Sequence, residues 1–349
     1  MLFFLKLFSF FLFFQIFLCA STIQTFYGPL EIEEPVLLEL IESPAFERLK
    51  SIHQYGVCYY TNNKEEYNRY EHSLGVFAIL RLNNASLHEQ IAGLLHDISH
   101  TVFSHVGDWI FPQESEEKDY QNSIHAYFLK KYGIEEILNK YGFTVEEVLP
   151  LENLFPMLEQ KSPNLCADRI EYNIQGAFLK NMISQKDAED IIKDLEFIEG
   201  SWVSHNPLLM KKIGNFSLFM TENAWGNKEE YITAKWLAEA ILKGVELDEI
   251  SYEEIHFGID DTIWYRLNNS EDPSIKELIK KIANAKSHYS LSNDQECDLL
   301  IKSKFRGINP LILLNNNEKK RLTEIDPEFA EKYETIQNSI KKGWAIQFN

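Results

Sequence analysis

Between His72 and His105 the chain carries His72, His96, Asp97, His100 and His105, a dense set of candidate metal ligands and acid/base groups. Two of them, His96 and Asp97, are adjacent in a run that is otherwise apolar. Burying a carboxylate beside an imidazole is costly unless a cation or hydrogen bonds compensate, and a divalent metal does both. That requirement restricts the fold more than any other part of the sequence. On a helix starting at Ser86, the residues Ile91, Leu94, Leu95 and Ile98 form a broad apolar face that presses His96-Asp97 toward the interior. His96 and His100 are four apart and share one side of that helix. A lone histidine on an apolar face is usually a satisfied core residue; the adjacent aspartate changes that expectation. Imidazole with carboxylate ligation suits Mn, Fe, Co, Ni or Zn and leaves positions open for water or phosphate oxygens.

The surrounding pattern is helical. Ser86-Leu-His-Glu89, Thr144-Val-Glu-Glu147, Ser184-Gln-Lys-Asp187 and Ser251-Tyr-Glu-Glu254 each resemble a capping box before an apolar-periodic stretch. Asp272-Pro273 and Asp326-Pro327 are helix starts of the cap-then-proline type. Sustained alternation is scarce, with Tyr55 to Thr61 and Gly200 to His205 the short candidates, so the expectation is an all-α fold with at most a small β-hairpin. No repeat or linker divides the chain sharply. The expected organisation is a motif-bearing unit over 26–182 and a helical C-terminal region over 183–349, in which Trp225, Trp236 and Trp264 occupy positions that suggest packing.

The net charge of −19 opposes binding to a nucleic acid, so no nucleic-acid partner is expected. A small anion is not excluded, because a metal and a few aimed cationic side chains reverse the potential inside a pocket. The four cysteines contain no C-x-x-C pair and form neither a disulfide framework nor a thiolate zinc site. Residues 1–20 carry no acid, one base and eight of the 24 Phe residues. They read as a signal peptide or membrane anchor, and hence as export or anchoring. The alternative is a cytoplasmic protein whose start is mis-assigned, although the next methionine is Met157.

Four stretches carry a resemblance: Gly28-Pro-Leu-Glu-Ile32, Ser43-Pro-Ala-Phe-Glu-Arg48 through Gln54-Tyr55-Gly56, Arg69-Tyr-Glu-His72-Ser-Leu-Gly75, and His96-Asp97-Ile-Ser-His100-Thr-Val-Phe-Ser-His105. In order, they are similar to the HD-domain phosphohydrolases, in the branch containing the deoxynucleoside triphosphate triphosphohydrolases. The strong similarity covers about residues 26–180. A weaker one runs from Trp225 to Leu267 and includes Phe257-Gly-Ile-Asp260-Asp261. The resemblance implies an HD-domain helical core and a divalent metal (Mn, Fe, Zn, Ni, Co or Mg) held by His72, His96, Asp97 and a distant acid. That acid is assigned to Asp168, in Leu165-Cys-Ala-Asp168-Arg169-Ile-Glu-Tyr172, with Arg169 and Tyr172 facing the substrate phosphates. It also implies that Gln54 and Tyr55 lie near base and sugar, and that the protein is a homo-oligomer.

Arg69 is a candidate phosphate clamp, because a guanidinium makes two parallel charge-assisted hydrogen bonds. His100 and His105 are candidates for binding phosphate or protonating the leaving oxygen. The sequence departs from the branch at two places. Where another catalytic histidine is usual stands Asp119, with His125 six positions on; where an acid often meets the sugar hydroxyl stands Gly176. Asp119 is therefore the third acid/base candidate, with His125 reaching in from a different angle as the alternative, and sugar selectivity is in doubt. Glu42 stands near an effector-contacting position but reads as a solvated helix end. The expected activity is metal-dependent hydrolysis of a nucleotide or other phosphate ester, with dNTP cleavage to deoxynucleoside plus triphosphate leading. The alternatives are a phosphomonoesterase or cyclic-nucleotide phosphodiesterase of the same fold, and a sensor that binds nucleotide without turnover.

Overall fold

A computed structural model describes residues 21–61, 65–112, 119–292 and 297–349. The segment 1–20, read above as a targeting sequence, lies outside the described residues. Among those described, no helix is long and apolar enough to cross a membrane.

Most of the expected helix starts are made by local hydrogen bonds. Ser86 accepts from Glu89 N, and Ser184 and Ser251 complete reciprocal boxes with Asp187 and Glu254. Asp272 and Asp326 cap the helices Pro273–Ala283 and Pro327–Lys342. A further box, Asn68 with Glu71, opens the helix Arg69–Leu82 that carries His72. At Thr144 the bond to Glu147 forms, yet only the 3-10 turn Glu146–Val148 follows.

Strands correct the all-α expectation. Ser21–Thr25 (β1) and Gly28–Ile32 (β2) form a hairpin. Glu196–Ile198 (β3), Ser201–Ser204 (β4), Leu311–Leu313 (β7) and Lys319–Arg321 (β8) make a four-stranded sheet in the order β3-β4-β7-β8, with β4 and β7 parallel. Tyr289–Leu291 (β5) and Leu299–Ile301 (β6) flank the terminal strand Trp344–Phe348 (β9). The protein is mostly helical with three small sheets. Most of these strands have three residues, too few to show a period of two, and pairs such as Val203 with Leu311 are remote in sequence. Gly200 to His205 does contain β4, whereas Tyr55 to Thr61 ends in the helical turn Cys58–Thr61.

The His72 helix lies between two apolar clusters. Its Leu74 and Phe77 join one that includes Phe46, Leu94, Phe103 and Trp236; its Val76, Ile79 and Leu80 join another that includes Ile170, Ile174, Phe216 and Phe329. Of the tryptophans expected to pack, Trp236 is buried and Trp264 stacks on Tyr60 at 4.6 Å. The Ser86 helix ends at Leu95, with His96 as its C-cap. His96 and His100 therefore do not share a helix side, a second correction. The apolar face is as expected, since Ile91, Leu94, Leu95 and Ile98 are wholly buried.

After His96 the chain turns through Phe103 and Ser104, both with φ near +57°. Such a backbone is strained for a bulky residue and persists only when its surroundings over-determine it. Two buried groups do so. The Asp260 carboxylate accepts from Phe103 N at 2.6 Å and His53 N at 2.9 Å. The Arg48 guanidinium donates to the carbonyls of Ile98, His100 and Gly258 at 3.1, 2.6 and 3.1 Å. Burial pulls Arg48 down to about 10, still charged at neutral pH.

A lysine has no planar fork to reach three carbonyls. Arg48→Lys should therefore orphan buried acceptors at roughly 1–3 kcal/mol each. The expected result is a chemical-denaturation midpoint lowered accordingly with little change in slope; an unchanged midpoint would contradict the role.

Candidate metal centre and substrate cavity

Four groups named from the sequence converge. His72 Nε2 lies 3.0 Å from Asp168 Oδ1 and 3.2 Å from His96 Nε2. Asp97 Oδ2 is 3.5 Å from His72 Nε2, and its Oδ1 is 3.6 Å from His96 Nε2. The ligand atoms of His72, His96 and Asp168 lie within 4.8 Å of one another. Each imidazole is turned by a bond on its other nitrogen. His96 Nδ1 donates to Gly93 O at 2.7 Å, and His72 Nδ1 donates to the buried carboxylate of Glu171, which also accepts from Tyr67. With both Nδ1 atoms committed, the two Nε2 atoms face one point, the arrangement that orients metal-ligating histidines.

Asp97, Asp168 and Glu171 gather around this point. Burial would neutralise Asp168, but hydrogen bonds from His72 and His96 hold its carboxyl far below the usual range. Burial likewise disfavours the Asp97 carboxylate, and the Arg69 charge keeps it ionised. His72, although buried, is driven up to about 10, chiefly by Glu171 with Asp168 and Asp97 adding. The site calls for positive charge that Arg69 alone does not supply. A divalent ion fits that demand and the donor set of two imidazoles and carboxylates.

The cluster forms the floor of a cavity of about 670 Å³. His96, Asp97 and Asp168 line it, as do His100, His105, Asp119, Arg69, Gln54, Tyr55, Arg169 and Tyr172, while His72 sits behind. Arg69 is more occupied than a free clamp, because Nη1 donates to Asp97 and Nε donates to Ser104 Oγ at 2.8 Å. Arg169 Nη1 donates to Asn164 O. His100 is pulled down to about 3 by burial and by Arg69, so it is neutral and its Nε2 donates to Asp97 at 3.2 Å. His105 is different: its side chain lines the cavity and is 46% exposed, and its Nδ1 donates to Asp108 at 3.3 Å, while Nε2 has no hydrogen-bond partner among the described residues. Asp119, held at about 2 against burial by His105, Lys304 and Arg306, pairs with Lys304 at 2.6 Å.

Two sequence positions fall away from the cavity. His125 is buried and shares a 2.9 Å bond with Ser99 Oγ. A side chain at Gly176 would meet the Phe216 ring at 2.6 Å, so packing keeps this position small. Glu42 is an exposed helix end, as read.

Several groups here were not singled out from the sequence. Glu171 stands three residues after Asp168, on the same helix face, so that signal was available. Glu159 lines the cavity and is raised by burial and by Asp168. Glu230, raised to about 7 by burial, accepts from the Cys58 thiol at 2.7 Å. Lys302, Lys304 and Arg306 also line the cavity, more than 130 residues from Asp168, where nothing local ties them to it.

An HD-domain family model matches residues 69–161. The uncharacterised protein YdhJ of Bacillus subtilis is 30% identical over 329 residues, covering 92% of this chain and 97% of that one. The metal-dependent phosphohydrolase cns2 of Cordyceps militaris is 28% identical, covering 81% and 82%. The deoxynucleoside triphosphate triphosphohydrolase SAMHD1 of Xenopus laevis is 23% identical, covering 72% of this chain and 52% of that one. Among solved structures, a phosphohydrolase from Bacteroides thetaiotaomicron superposes with a TM-score of 0.70 at 16% identity, covering 94% and 99%, which shows the fold. With its four expected ligand residues converging and similarity along nearly its whole length, this chain belongs to the HD-domain family of metal-dependent phosphohydrolases.

Proposed function

We propose that the protein cleaves nucleoside triphosphates to nucleoside plus triphosphate, with deoxynucleoside triphosphates the leading substrates and His72, His96, Asp97 and Asp168 holding the metal. The observation that carries this reading is the pairing of that donor cluster with a cavity large enough for a nucleotide. Its walls offer cations for phosphate and aromatic surface for a base, among them Tyr55, Trp109, Trp225 and Tyr231. The similarity to SAMHD1 supports the same choice. When bound, the ion lowers the pKa of water and offsets charge on the phosphoryl oxygens.

The protein's own groups take the remaining roles. Arg169 and Tyr172 meet the phosphates beside Asp168, and Arg69 holds Asp97 ionised while shaping the same wall. Water adds to the α-phosphorus, the bond to the 5′ oxygen breaks, and that oxygen needs a proton. His105 suits this task because it lines the cavity, Asp108 orients its ring and Nε2 has no hydrogen-bond partner among the described residues. Neutral His100 is a fixed donor to Asp97, and the ionised Asp119 lies within electrostatic reach of His105. Gln54 Oε1 is buried without a hydrogen-bond partner among the described residues and is assigned to a substrate hydroxyl.

Replacing Glu171 by Gln removes the charge behind His72 and should weaken divalent-metal binding about 10–100-fold, read by competitive titration with a chelating dye. Metal affinity equal to wild type would remove the orienting role. The double change His96→Ala with Asp97→Ala should abolish bound metal by elemental analysis, and turnover with it; full activity in the metal-free double variant would sink the proposal. Chromatography of products from ribo- and deoxynucleotides with Mn²⁺, Mg²⁺ or Fe²⁺ tests the reaction itself. Triphosphate release supports the reading, orthophosphate or a monophosphate points to another esterase, and tight binding without product points to a sensor.

A further inference from the structure

We propose that residues 302–306 form a basic strap that selects substrates bearing a polyphosphate chain over monophosphates at this cavity. The inference rests on the nucleotide reading and extends it to the class of phosphate recognised. Beyond β6 the segment 302–306 has no regular structure, and the three basic residues alternate. Lys302, Lys304 and Arg306 all line the cavity, while the intervening residues fasten the back of the segment. Ser303 Oγ donates to Gly226 O at 3.1 Å, and the Phe305 ring packs edge-on to Tyr333 at 5.0 Å. The strap is therefore a held element of the wall, with its charges on one side.

Those charges are largely uncommitted. Lys304 pairs with Asp119 across the cavity, whereas Lys302 and Arg306 have no hydrogen-bond or ion-pair partner among the described residues. Arg306 acts electrostatically on both Asp119 and Tyr172, so its guanidinium serves the phosphate side of the cavity. By contrast, the cations nearer the metal cluster are partly spent, Arg69 on Asp97 and Arg169 on Asn164 O. In a chain of net charge −19, a locally unpaired set of cations is a sink for added negative charge. A single phosphate is served beside Asp168. A longer chain of phosphates carries more charge, extends to the strap and displaces Lys304 from Asp119.

The test is calorimetric titration of the metal-loaded full chain with inorganic tripolyphosphate and with orthophosphate at fixed Mg²⁺. It compares wild type, Lys302→Ala with Arg306→Ala, and the charge-retaining Lys302→Arg with Arg306→Lys. Losing two charge-assisted contacts should weaken tripolyphosphate binding roughly 10- to 100-fold and leave orthophosphate unchanged. The charge-retaining variant should keep most of the affinity, and KM for a nucleoside triphosphate should follow the tripolyphosphate result. Unchanged tripolyphosphate affinity in the alanine variant would overturn the strap, as would equal loss for both anions. Calorimetry needs no turnover. A protein that released only orthophosphate from nucleotides would defeat the triphosphohydrolase reading, and the strap would still be judged by its own binding result.

Discussion

The contact on which the centre depends is the one between His72 Nδ1 and the buried Glu171 carboxylate. It fixes the orientation of the His72 ring, and so turns Nε2 toward His96 and Asp168. It also joins two helices, because Glu171 lies on Ala167–Leu179 and His72 on Arg69–Leu82. Their approach requires Gly75, since a Cβ there would sit 2.5 Å from Glu171 Oε1. Ligand orientation and helix packing are thus a single constraint. An imidazole whose other nitrogen is committed to a carboxylate is a better and more rigid ligand.

Around that contact the protein arranges charge in the opposite sense to its surface. The chain as a whole is strongly acidic, yet five cations line the cavity above the buried carboxylates. Arg48 and Asp260 contribute from outside the cavity by fixing the turn that carries His100 and His105. The late stretch Phe257-Gly-Ile-Asp260-Asp261 thereby acquires a physical reason: the Asp260 carboxylate bonds the turn that carries His100 and His105, and Gly258 O bonds its support, Arg48. Strain at Phe103 and Ser104 is tolerated because these buried bonds leave the turn no alternative.

What was legible beforehand had short-range causes. Ser86, Ser184 and Ser251 announce helices because a cap bonds three residues away, within the reach of a sequence pattern. The His96-Asp97 pair was legible because a charged pair in an apolar run needs a compensating partner. The end of the Ser86 helix was missed, since apolar periodicity continues to Ile98 while the backbone stops at Leu95. The sheets were missed because three-residue strands are specified by remote partners and leave no local trace.

The sequence by itself determined that the buried His96-Asp97 pair needs a compensating partner and that helices carry most of the chain, because these follow from burial cost and local hydrogen bonding; His72 and Asp168 were named beside that pair only through the family resemblance. Only the tertiary structure decided the ring orientation of His72, the separation of His100 from the His96 helix, the retreat of His125 behind Ser99 and the packing of Phe216 against Gly176. It alone brought Lys302, Lys304 and Arg306 to the wall of the same cavity as Asp168. These are long-range outcomes, fixed by which surfaces meet on folding, and no spacing within one segment encodes them.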